Sequence, residues 1–301
     1  MEIQLITPEN FQDYELLDVG DFLKLERFGK FITIRPEPQA VWSPAWEKHE
    51  WQRMAHVEFI PKSSSNGVWK RLKEMPDRWN IQYRFPDGNS FKLRLALTGF
   101  KHVGVFPEQA CNWNYIYQEI KKLNDPKPKF LNLFAYTGAS SLAASAAGAQ
   151  VTHCDSIKQV VSWANENMKL SEFDHIRWMV EDAMKFVKRE IRRGSRYNGI
   201  ILDPPAFGHG PNGESWKLEE NINELVDDVT KLLDPSEHFI VLNTYSLGFS
   251  SIILENLFQN RLPKRSQSEF GELYLQSKSG LKLPLGVWGR WTLKSKEAGP
   301  K

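Results

Sequence analysis

Apolar and polar residues alternate with a period of two through much of the N-terminal third of the chain. Residues 23–35 alternate around a glycine, and residues 81–97 alternate around Asp87-Gly88. Alternation is typical of a half-buried strand, and Asp-Gly between two such runs is a strong hairpin signal. Residues 1–105 are therefore predicted to form a small β-rich domain.

Farther along the chain, short apolar runs alternate with segments whose apolar residues recur every three or four positions. The runs predict seven strands, at residues 131–134, 150–155, 176–180, 198–203, 238–243, 272–276 and 287–293. The periodic segments predict helices at residues 139–147, 157–170, 182–193, 216–233 and 250–259. Strands that alternate with helices favour a parallel sheet with right-handed crossovers. The predicted fold class is α/β, a doubly wound, mostly parallel, seven-stranded sheet of Rossmann-like type beside the smaller β-rich domain.

The segment between the two parts has a pattern of its own. Apolar residues at helical spacing predict a helix over residues 112–123, and Asp125-Pro-Lys-Pro-Lys129 is typical of a stiff linker. We therefore place the N-terminal domain at residues 1–105, the linking helix and linker at 106–128, and the second domain at 129–301.

The composition indicates a globular protein in a reducing compartment. Apolar residues make up 41% of the chain and the formal net charge is +2, so any nucleic-acid surface must be local. The 2 cysteines, Cys111 and Cys154, form no CxxC pair, and the histidines show no metal-ligand spacing. The sequence has no signal-peptide pattern at its start and no apolar run of membrane-spanning length. We therefore expect a cytoplasmic protein with neither a metal nor a membrane partner.

Three acidic residues come at the ends of consecutive predicted strands. Asp155 ends the second strand, Asp182 follows the third after one glutamate, and Asp203 ends the fourth. In a doubly wound sheet these ends line one crevice, where ligands bind. Asp155 is placed to accept hydrogen bonds from a ribose, and Asp182 is placed to meet an adenine amino group. Either residue alone is more often a helix cap, but three acids in register with the Gly138 turn favour a ligand site.

The turn after the first predicted strand indicates which nucleotide-like ligand fits. Asn132-Leu-Phe-Ala-Tyr-Thr-Gly138 contains a single glycine and is followed at once by a helix of small residues. A nicotinamide dinucleotide site needs G-x-G-x-x-G here, and a Walker loop needs G-x-x-x-x-G-K-[ST]; both are absent. A ligand with ribose and adenine but no phosphate fits better, and S-adenosylmethionine is the common one.

Taken together, these segments resemble the motif series of class I S-adenosylmethionine-dependent methyltransferases. The segments are the turn that ends at Gly138, Asp155, Glu181-Asp182-Ala183 and Asp203-Pro-Pro-Ala-Phe207. More closely, they resemble the bacterial large-subunit ribosomal RNA methyltransferases, a family with cytosine-C5 and guanine-N7 members. The resemblance covers about residues 100–294 and, more weakly, the β-rich N-terminal part.

The resemblance implies a cofactor site and a partner. The residues that it places around S-adenosylmethionine are Asn132, Phe134, Tyr136, Thr137 and Gly138 at the methionine end, Asp155 and Ser156 at the ribose, and Asp182 and Ala183 at the adenine. Phe106, Glu108 and Gln109 fall where the family's chain passes the cofactor pocket. RNA, ribosomal RNA above all, is the implied partner, and a homodimer is left open as the oligomeric state.

The candidate catalytic residues are Asp203, Pro204, Pro205 and Phe207. A Pro-Pro step stiffens the backbone and removes donors, so the preceding carbonyls point outward. Asp203 and the Pro204 carbonyl are placed to accept hydrogen bonds from a nucleobase N–H, with Phe207 stacked on the ring. The alternative is a rigid loop that merely ends a strand.

One departure from the family decides between two chemistries. Cytosine-C5 methylation needs a cysteine nucleophile, which in the C5 members lies in the Pro-Pro loop or after the fifth strand. Here those positions read Pro204-Pro-Ala-Phe207 and Val241-Leu-Asn-Thr-Tyr-Ser246, without a cysteine. Nitrogen methylation is therefore favoured, and Asn243 and Tyr245 are further candidates for the acceptor pocket.

Two basic regions are candidate RNA contacts. The predicted helix at 182–193 carries a stripe of lysines and arginines, a pattern that more often marks a solvated face. Five tryptophans lie before residue 80, together with Lys70, Arg71, Lys73 and Arg78. Such a mixture suits stacking on unpaired RNA, but tryptophan is equally good core material in a small β domain.

The leading hypothesis is an S-adenosylmethionine-dependent methyltransferase that acts on a nucleobase nitrogen in RNA. A second hypothesis keeps the cofactor and changes the acceptor to a protein side chain or a small molecule. A third is a non-catalytic RNA-binding factor that retains the fold, which predicts no affinity for the cofactor.

Overall fold

The computed structural model describes residues 2–63, 66–245 and 248–295. The first part of the chain contains, in order, β1 (Gln4–Ile6), β2 (Tyr14–Gly20), β3 (Leu23–Phe28), β4 (Phe31–Pro36), α1 (Lys48–Met54), β5 (Val57–Pro61), β6 (Gly67–Arg71), β7 (Arg78–Arg84) and β8 (Ser90–Ala96). The second part begins with a 3-10 helix (Pro107–Gln109) and α2 (Ala110–Lys122).

The alternation of strands and helices then follows the predicted order. The elements are β9 (Lys129–Leu133), α3 (Ala139–Ala146), β10 (Gln150–Asp155), α4 (Lys158–Leu170), β11 (Arg177–Val180), α5 (Ala183–Arg192), β12 (Gly199–Leu202), β13 (Phe207–His209), β14 (Ser215–Lys217), α6 (Leu218–Thr230), β15 (His238–Thr244), α7 (Ser251–Phe258), β16 (Gln267–Gln276) and β17 (Lys282–Leu293).

The large sheet has the strand order β1-β16-β17-β15-β12-β9-β10-β11. The five adjacent strands β15, β12, β9, β10 and β11 are parallel to one another, whereas β17 is antiparallel to β15. From β9 the chain builds outward through β10 and β11, and then returns to β12 on the other side of β9. An α/β sheet binds its ligands at such a reversal, beside the carboxyl ends of the strands. The predicted α/β class and mostly parallel sheet are confirmed.

The sheet has one strand more than the seven predicted. Strand β1 pairs in parallel with β16, although it lies in the region assigned to the β-rich domain. It is three residues long and none of its side chains is buried, so it shows no alternation that a pattern search would detect. Gly271 on β16 permits the close approach, because a Cβ atom there would collide with the Gln4 carbonyl.

The centre of this sheet is buried on both faces. Every residue of β12 and of β15 is buried, as expected of interior parallel strands covered by helices on both sides. Phe186 and Val187 of α5 and Leu225 and Val226 of α6 belong to the same core cluster as Ile200 of β12. This packing holds the carboxyl ends of the strands in fixed positions.

The chain divides into two units whose boundaries differ from the predicted ones. One unit comprises the residues up to Ile6, Asn112–Leu273 and the residues from Gly286 on; the other comprises Thr7–Cys111 and Tyr274–Leu285. The first unit gains β1 through its pairing with β16. The second gains the turn between β16 and β17, because Lys278 N–H donates to the Leu16 carbonyl at 2.8 Å. Residues 296–301 of the predicted second domain lie outside the described residues.

The β-rich unit contains a five-stranded sheet of order β2-β3-β4-β5-β6 and a separate two-stranded sheet, β7-β8. Trp51 and Trp79 are buried in its core. Trp42 and Trp69 are half-buried and donate their indole N–H groups to the carbonyls of Val19 and Thr98, respectively. For these tryptophans the structure favours core packing over an open stacking platform.

A buried aspartate holds this unit together, and its loss should destabilise the fold. The Asp18 carboxylate accepts hydrogen bonds from Trp46 N at 2.8 Å, Trp51 Nε1 at 3.0 Å and Ser279 Oγ at 2.6 Å. An orphaned buried donor costs about 1–3 kcal/mol, so Asp18→Ala is expected to lower the free energy of unfolding by about 3 kcal/mol or more. Urea denaturation measures the change.

The matched control for this prediction is Asp77→Ala, which removes a surface carboxylate paired with Arg71. A surface pair contributes about 0–1 kcal/mol. Equal unfolding free energies for the two variants would contradict the role assigned to Asp18.

Among the helices that the structure describes, none is both long and apolar enough to cross a membrane.

Candidate functional site

The turn between β9 and α3 has an unusual backbone. Phe134, Tyr136 and Gly138 have φ angles of 56°, 49° and 87°, all in the left-handed region. Such conformations cost free energy for residues other than glycine and cluster at functional sites. At Gly138, which precedes α3, a Cβ atom would lie 3.1 Å from the Ala164 side chain, so the position is closely packed as well. The turn directs the first N–H groups of α3, which lack acceptors within the helix, towards the carboxyl end of β9.

A buried polar network supports this turn from below. Asn132 Nδ2 donates to Ser141 Oγ at 3.0 Å, and Ser141 Oγ lies 3.0 Å from His153 Nδ1. Asn167 Nδ2 donates to the Thr137 carbonyl at 3.0 Å. Burial lowers the pKa of His153 to about 3, so its imidazole is neutral. The network keeps Asn132 and Thr137 in place without a buried charge.

Sequence reasoning singled out Asn132 and Thr137 but missed Ser141, His153 and Asn167. A faint signal existed for two of them. His153 lies in the buried stretch of β10, between Val151 and Cys154, and Asn167 occupies a position on the buried side of α4. A polar residue at a buried position indicates a hydrogen-bonding task, although the partner is not visible in the sequence.

Asp155 is linked to the turn by direct hydrogen bonds. Its Oδ2 accepts from Tyr136 N at 2.9 Å, and its Oδ1 accepts from Ile157 N at 3.0 Å. Burial raises the pKa of the Asp155 carboxyl, and these backbone donors partly offset the effect. A carboxylate has about four acceptor sites, and the backbone donors Tyr136, Ser156 and Ile157 leave one of them for a further donor. Asp155 therefore orders the turn and can still accept a ligand hydroxyl.

Asp182 lies at the carboxyl end of the neighbouring strand and is the N-cap of α5. Its Oδ1 accepts from Lys185 N at 2.9 Å, as the capping interpretation expects. The second carboxylate oxygen is left for another donor, so the cap is compatible with a ligand contact. Ala183, the first residue of α5, is buried. Glu181 is turned to α5, where it accepts from Arg189 Nη1 at 2.6 Å.

Asp203 ends β12 on the other side of β9. Asn243, at the end of β15, is 1% exposed and donates its Nδ2 to Asp203 Oδ1 at 2.8 Å. Burial raises the pKa of Asp203 to about 6, and the hydrogen bond from Asn243 opposes that rise. The Asn243 amide fixes the orientation of this half-buried carboxylate.

The Pro-Pro segment after Asp203 leads into a short hairpin in which β13 pairs with β14. Each of these strands is three residues long, which is too short for a recognisable alternation of apolar and polar residues. Trp216 Nε1 donates to the Pro205 carbonyl at 2.7 Å, and its ring lies 4.9 Å from that of Phe134. Phe207 is 56% exposed. The hairpin therefore holds the catalytic candidates Pro204, Pro205 and Phe207 next to the turn after β9.

The hairpin also reaches the ends of β10 and β11. Ser156 Oγ donates to the His209 carbonyl at 3.1 Å, and Lys185 forms an ion pair with Glu214. The predicted site residues from 132 to 207 thus lie at the carboxyl ends of four adjacent strands, β12, β9, β10 and β11. Gln109 belongs to the other unit, where it is buried at the end of the 3-10 helix, and its place in the cofactor site stays a prediction.

The donors and acceptors at these strand ends fit an adenosyl ligand without phosphate. The side chains that end the strands are carboxylates, which attract hydroxyl and amino groups and repel a pyrophosphate. Among the described residues no group of three or more His, Cys, Asp or Glu side chains is arranged to hold a metal ion.

The basic stripe on α5 is engaged in ion pairs within the protein. The pairs are Lys185–Glu214, Lys188–Glu224, Arg189–Glu181 and Arg193–Glu190. Because these four cations already have carboxylate partners, the structure favours the solvated-helix interpretation of this face over a phosphate-binding surface.

Comparisons with known proteins agree with this chemistry. A family model described as S-adenosylmethionine-dependent methyltransferase matches residues 34–260. The ribosomal RNA large subunit methyltransferase K/L of Shewanella frigidimarina (strain NCIMB 400) is 30% identical over 156 residues, which is 50% of this chain and 21% of that protein. The chain thus spans about a fifth of the length of this curated relative.

Two solved structures have the same fold over nearly the whole chain. The SAM-dependent methyltransferase from Agrobacterium tumefaciens has a TM-score of 0.88 and 36% identity, covering 96% of this chain and 93% of its own. A putative SAM-dependent methyltransferase from Streptococcus mutans has a TM-score of 0.71 at 16% identity, covering 94% and 76%, and shows the fold alone. The family model and the Agrobacterium structure both match the greater part of the chain, which therefore belongs to the S-adenosylmethionine-dependent methyltransferases and uses that cofactor.

Proposed function

We propose that the protein methylates a ring or exocyclic nitrogen of a nucleobase in RNA, with ribosomal RNA as the first candidate. The observation that carries the proposal is the Asp203 carboxylate, desolvated and oriented by Asn243, beside the exposed ring of Phe207. A carboxylate next to an exposed aromatic ring suits a flat heterocycle that carries N–H groups. The Shewanella relative, a ribosomal RNA large subunit methyltransferase, supports RNA as the substrate class.

In this proposal the residues that would hold the cofactor lie at the ends of β9, β10 and β11. The turn around its methionine end would be formed by Asn132, Phe134, Tyr136, Thr137 and Gly138. Asp155 and Ser156 would hold the ribose, Asp182 and Ala183 would face the adenine, and Gln109 is a further proposed cofactor contact. The cofactor supplies an electrophilic methyl group on a sulfonium sulfur. The protein's own contribution is to hold the acceptor nitrogen in line with that group.

Asp203 and its neighbours position the acceptor. The Asp203 Oδ2 and the Pro204 carbonyl accept hydrogen bonds from an N–H of the base, which increases the electron density on the nitrogen. Phe207 stacks on the ring and keeps it in the plane that these acceptors define. The Pro205 carbonyl takes no part, because it accepts from Trp216.

The two cysteines offer no nucleophile for carbon methylation. Cys154 is buried within β10, and burial raises the pKa of its thiol well above the usual value. A thiol that stays protonated cannot add to a pyrimidine ring. Cys111 is the second residue of α2, far in sequence from both positions where the C5 members carry a cysteine. Ser246, the last residue of the run in which the C5 members carry a cysteine, lies outside the described residues.

Nucleoside mass spectrometry of ribosomal RNA tests the proposed function. RNA from cells that lack the protein is compared with RNA from cells that express it, and one N-methylated nucleoside is expected to disappear. Purified protein with S-adenosylmethionine should restore the modification on that RNA. If every methylated nucleoside persists in the deletion strain, RNA is not the substrate.

The elevated pKa of Asp203 predicts the pH dependence of the reaction. With a pKa of about 6, the carboxylate is ionised above that pH and protonated below it. Only the ionised form presents two acceptor oxygens, so kcat/KM for the RNA should fall as the pH is lowered through about 6. Initial rates at RNA concentrations well below KM, with saturating cofactor, measure this profile. In Asp203→Asn the fall in rate at low pH should vanish. An unchanged pH profile in that variant would assign the fall to another group.

A further inference from the structure

The β13-β14 hairpin has one face packed on the protein and one face turned outward. On the inner face, Trp216 is buried against the ring of Phe134, and Gly208 is half-buried. Successive side chains of a strand project to opposite faces. Phe207 and His209, which flank Gly208 in β13, therefore both project outward, and both are exposed.

Two hydrogen bonds hold the backbone that carries these outward side chains. Trp216 Nε1 donates to the Pro205 carbonyl at 2.7 Å, just before β13 begins. Ser156 Oγ donates to the His209 carbonyl at 3.1 Å, at the residue that ends β13. The strand is thus fixed at both ends, and a ligand on its outer face meets side chains whose backbone is already in place.

The two outward rings contact each other at a right angle. The ring centroids of Phe207 and His209 are 4.9 Å apart, and the angle between the ring planes is 89°. Among the described residues, the His209 side chain has neither a hydrogen bond nor an ion pair. Rings at a right angle cannot both stack on one base, nor on two bases that remain stacked on each other. They suit two neighbouring bases of which one is turned out of the stack.

We infer that His209 stacks on the nucleotide next to the one that is methylated. The inference rests on the proposed function, in which Phe207 holds the target base. The next nucleotide is covalently linked to the target, so it must lie beside Phe207, which is where His209 lies. Stacking on His209 offsets the cost of separating the two bases. It also restricts the substrate to unpaired RNA, with little preference for the identity of the second base.

The second strand of the hairpin offers a polar group to the same nucleotide. Ser215 lies opposite His209 in the strand register and is exposed. Cross-strand partners lie on the same face of a sheet, so the Ser215 hydroxyl is beside the His209 ring. A hydroxyl at this place can donate to a phosphate or sugar oxygen, a contact that positions RNA without reading its sequence.

Steady-state methylation of a large-subunit ribosomal RNA transcript tests this inference with the whole protein. His209→Ala removes the ring and should raise KM for the transcript about tenfold, as expected for one base–aromatic stack. Its kcat and its affinity for S-adenosylhomocysteine should not change. His209→Phe keeps a ring without a titratable nitrogen and should restore the wild-type KM. A loss of kcat in both variants would assign His209 to proton transfer and overturn the inference.

The matched control is His175→Asn, which replaces an exposed histidine in the loop at the amino end of β11. His175 has a left-handed backbone, which asparagine tolerates. Its KM should equal that of the wild type, and thermal melting checks that every variant is folded. If the wild type methylates the transcript and His209→Ala has the same KM, the inference is wrong and the proposed function stands. A wild type that methylates no RNA overturns both.

Discussion

Replacing Asp203 by alanine is expected to lower kcat for nucleobase methylation by about 10²–10³-fold, the usual loss for one well-placed acid–base or electrostatic group. Asp203 is a half-buried carboxylate whose pKa burial raises and which Asn243 orients. Alanine removes the acceptor for the base N–H and leaves the Asn243 amide without its partner. Single-turnover methylation of the RNA identified by mass spectrometry measures the effect.

Two further measurements separate catalysis from folding. Asp203→Asn keeps the acceptor oxygen for Asn243 but loses the charge, so its rate should lie between those of the wild type and the alanine variant. S-adenosylhomocysteine should bind all three proteins with equal affinity, because Asp203 is assigned to the acceptor. Asp227→Ala, on the exposed side of α6 where it pairs with Lys231, should retain full activity. A wild-type rate in Asp203→Ala would contradict the assigned role.

The second large effect is expected at Asp155, where alanine should weaken S-adenosylhomocysteine binding by about 10²-fold or more. The variant loses the proposed contact to the ribose hydroxyls and the acceptor for Tyr136 N–H that orders the turn. A hydrogen bond to a charged group contributes about 1.5–3 kcal/mol, and 1.4 kcal/mol corresponds to about tenfold in affinity. Titration calorimetry measures the loss.

The turn makes this prediction specific. Tyr136 has a left-handed backbone, which its hydrogen bond to Asp155 helps to hold. Asp155→Asn keeps one acceptor oxygen and should lose less affinity than the alanine variant. Asp174→Ala, at an exposed position in the loop before β11, serves as the control and should bind normally. If Asp155→Ala is folded and binds S-adenosylhomocysteine as well as the wild type, Asp155 is only a structural cap.

Several features of the site followed from the sequence because they depend on local pattern. The apolar run before Gly138, the acids at 155, 182 and 203 and the Pro-Pro step are each readable within a few residues. The rule that parallel strands share one edge then placed them together, and the observed order β12-β9-β10-β11 confirms that they end side by side.

Other features depend on contacts between distant parts of the chain. Strands β1, β13 and β14 are three residues long each, which is too short for a period-two pattern. Each of them is defined by its pairing with a partner strand. The Ser141–His153 contact joins a helix to a strand. The partners of each pair lie far apart in the chain, so the sequence does not show which residues pair.

By itself, the sequence determined the α/β class, the succession of strands and helices, the phosphate-free cofactor and the family. These follow from periodicity and from residue types at strand ends, which are local quantities. Only the tertiary structure decided which charges are available. It paired four cations of the α5 stripe with carboxylates and placed the half-buried Asp203 carboxylate against the Asn243 amide. The physical reason is that burial and Coulomb energy depend on distances in space, which chain separation does not encode.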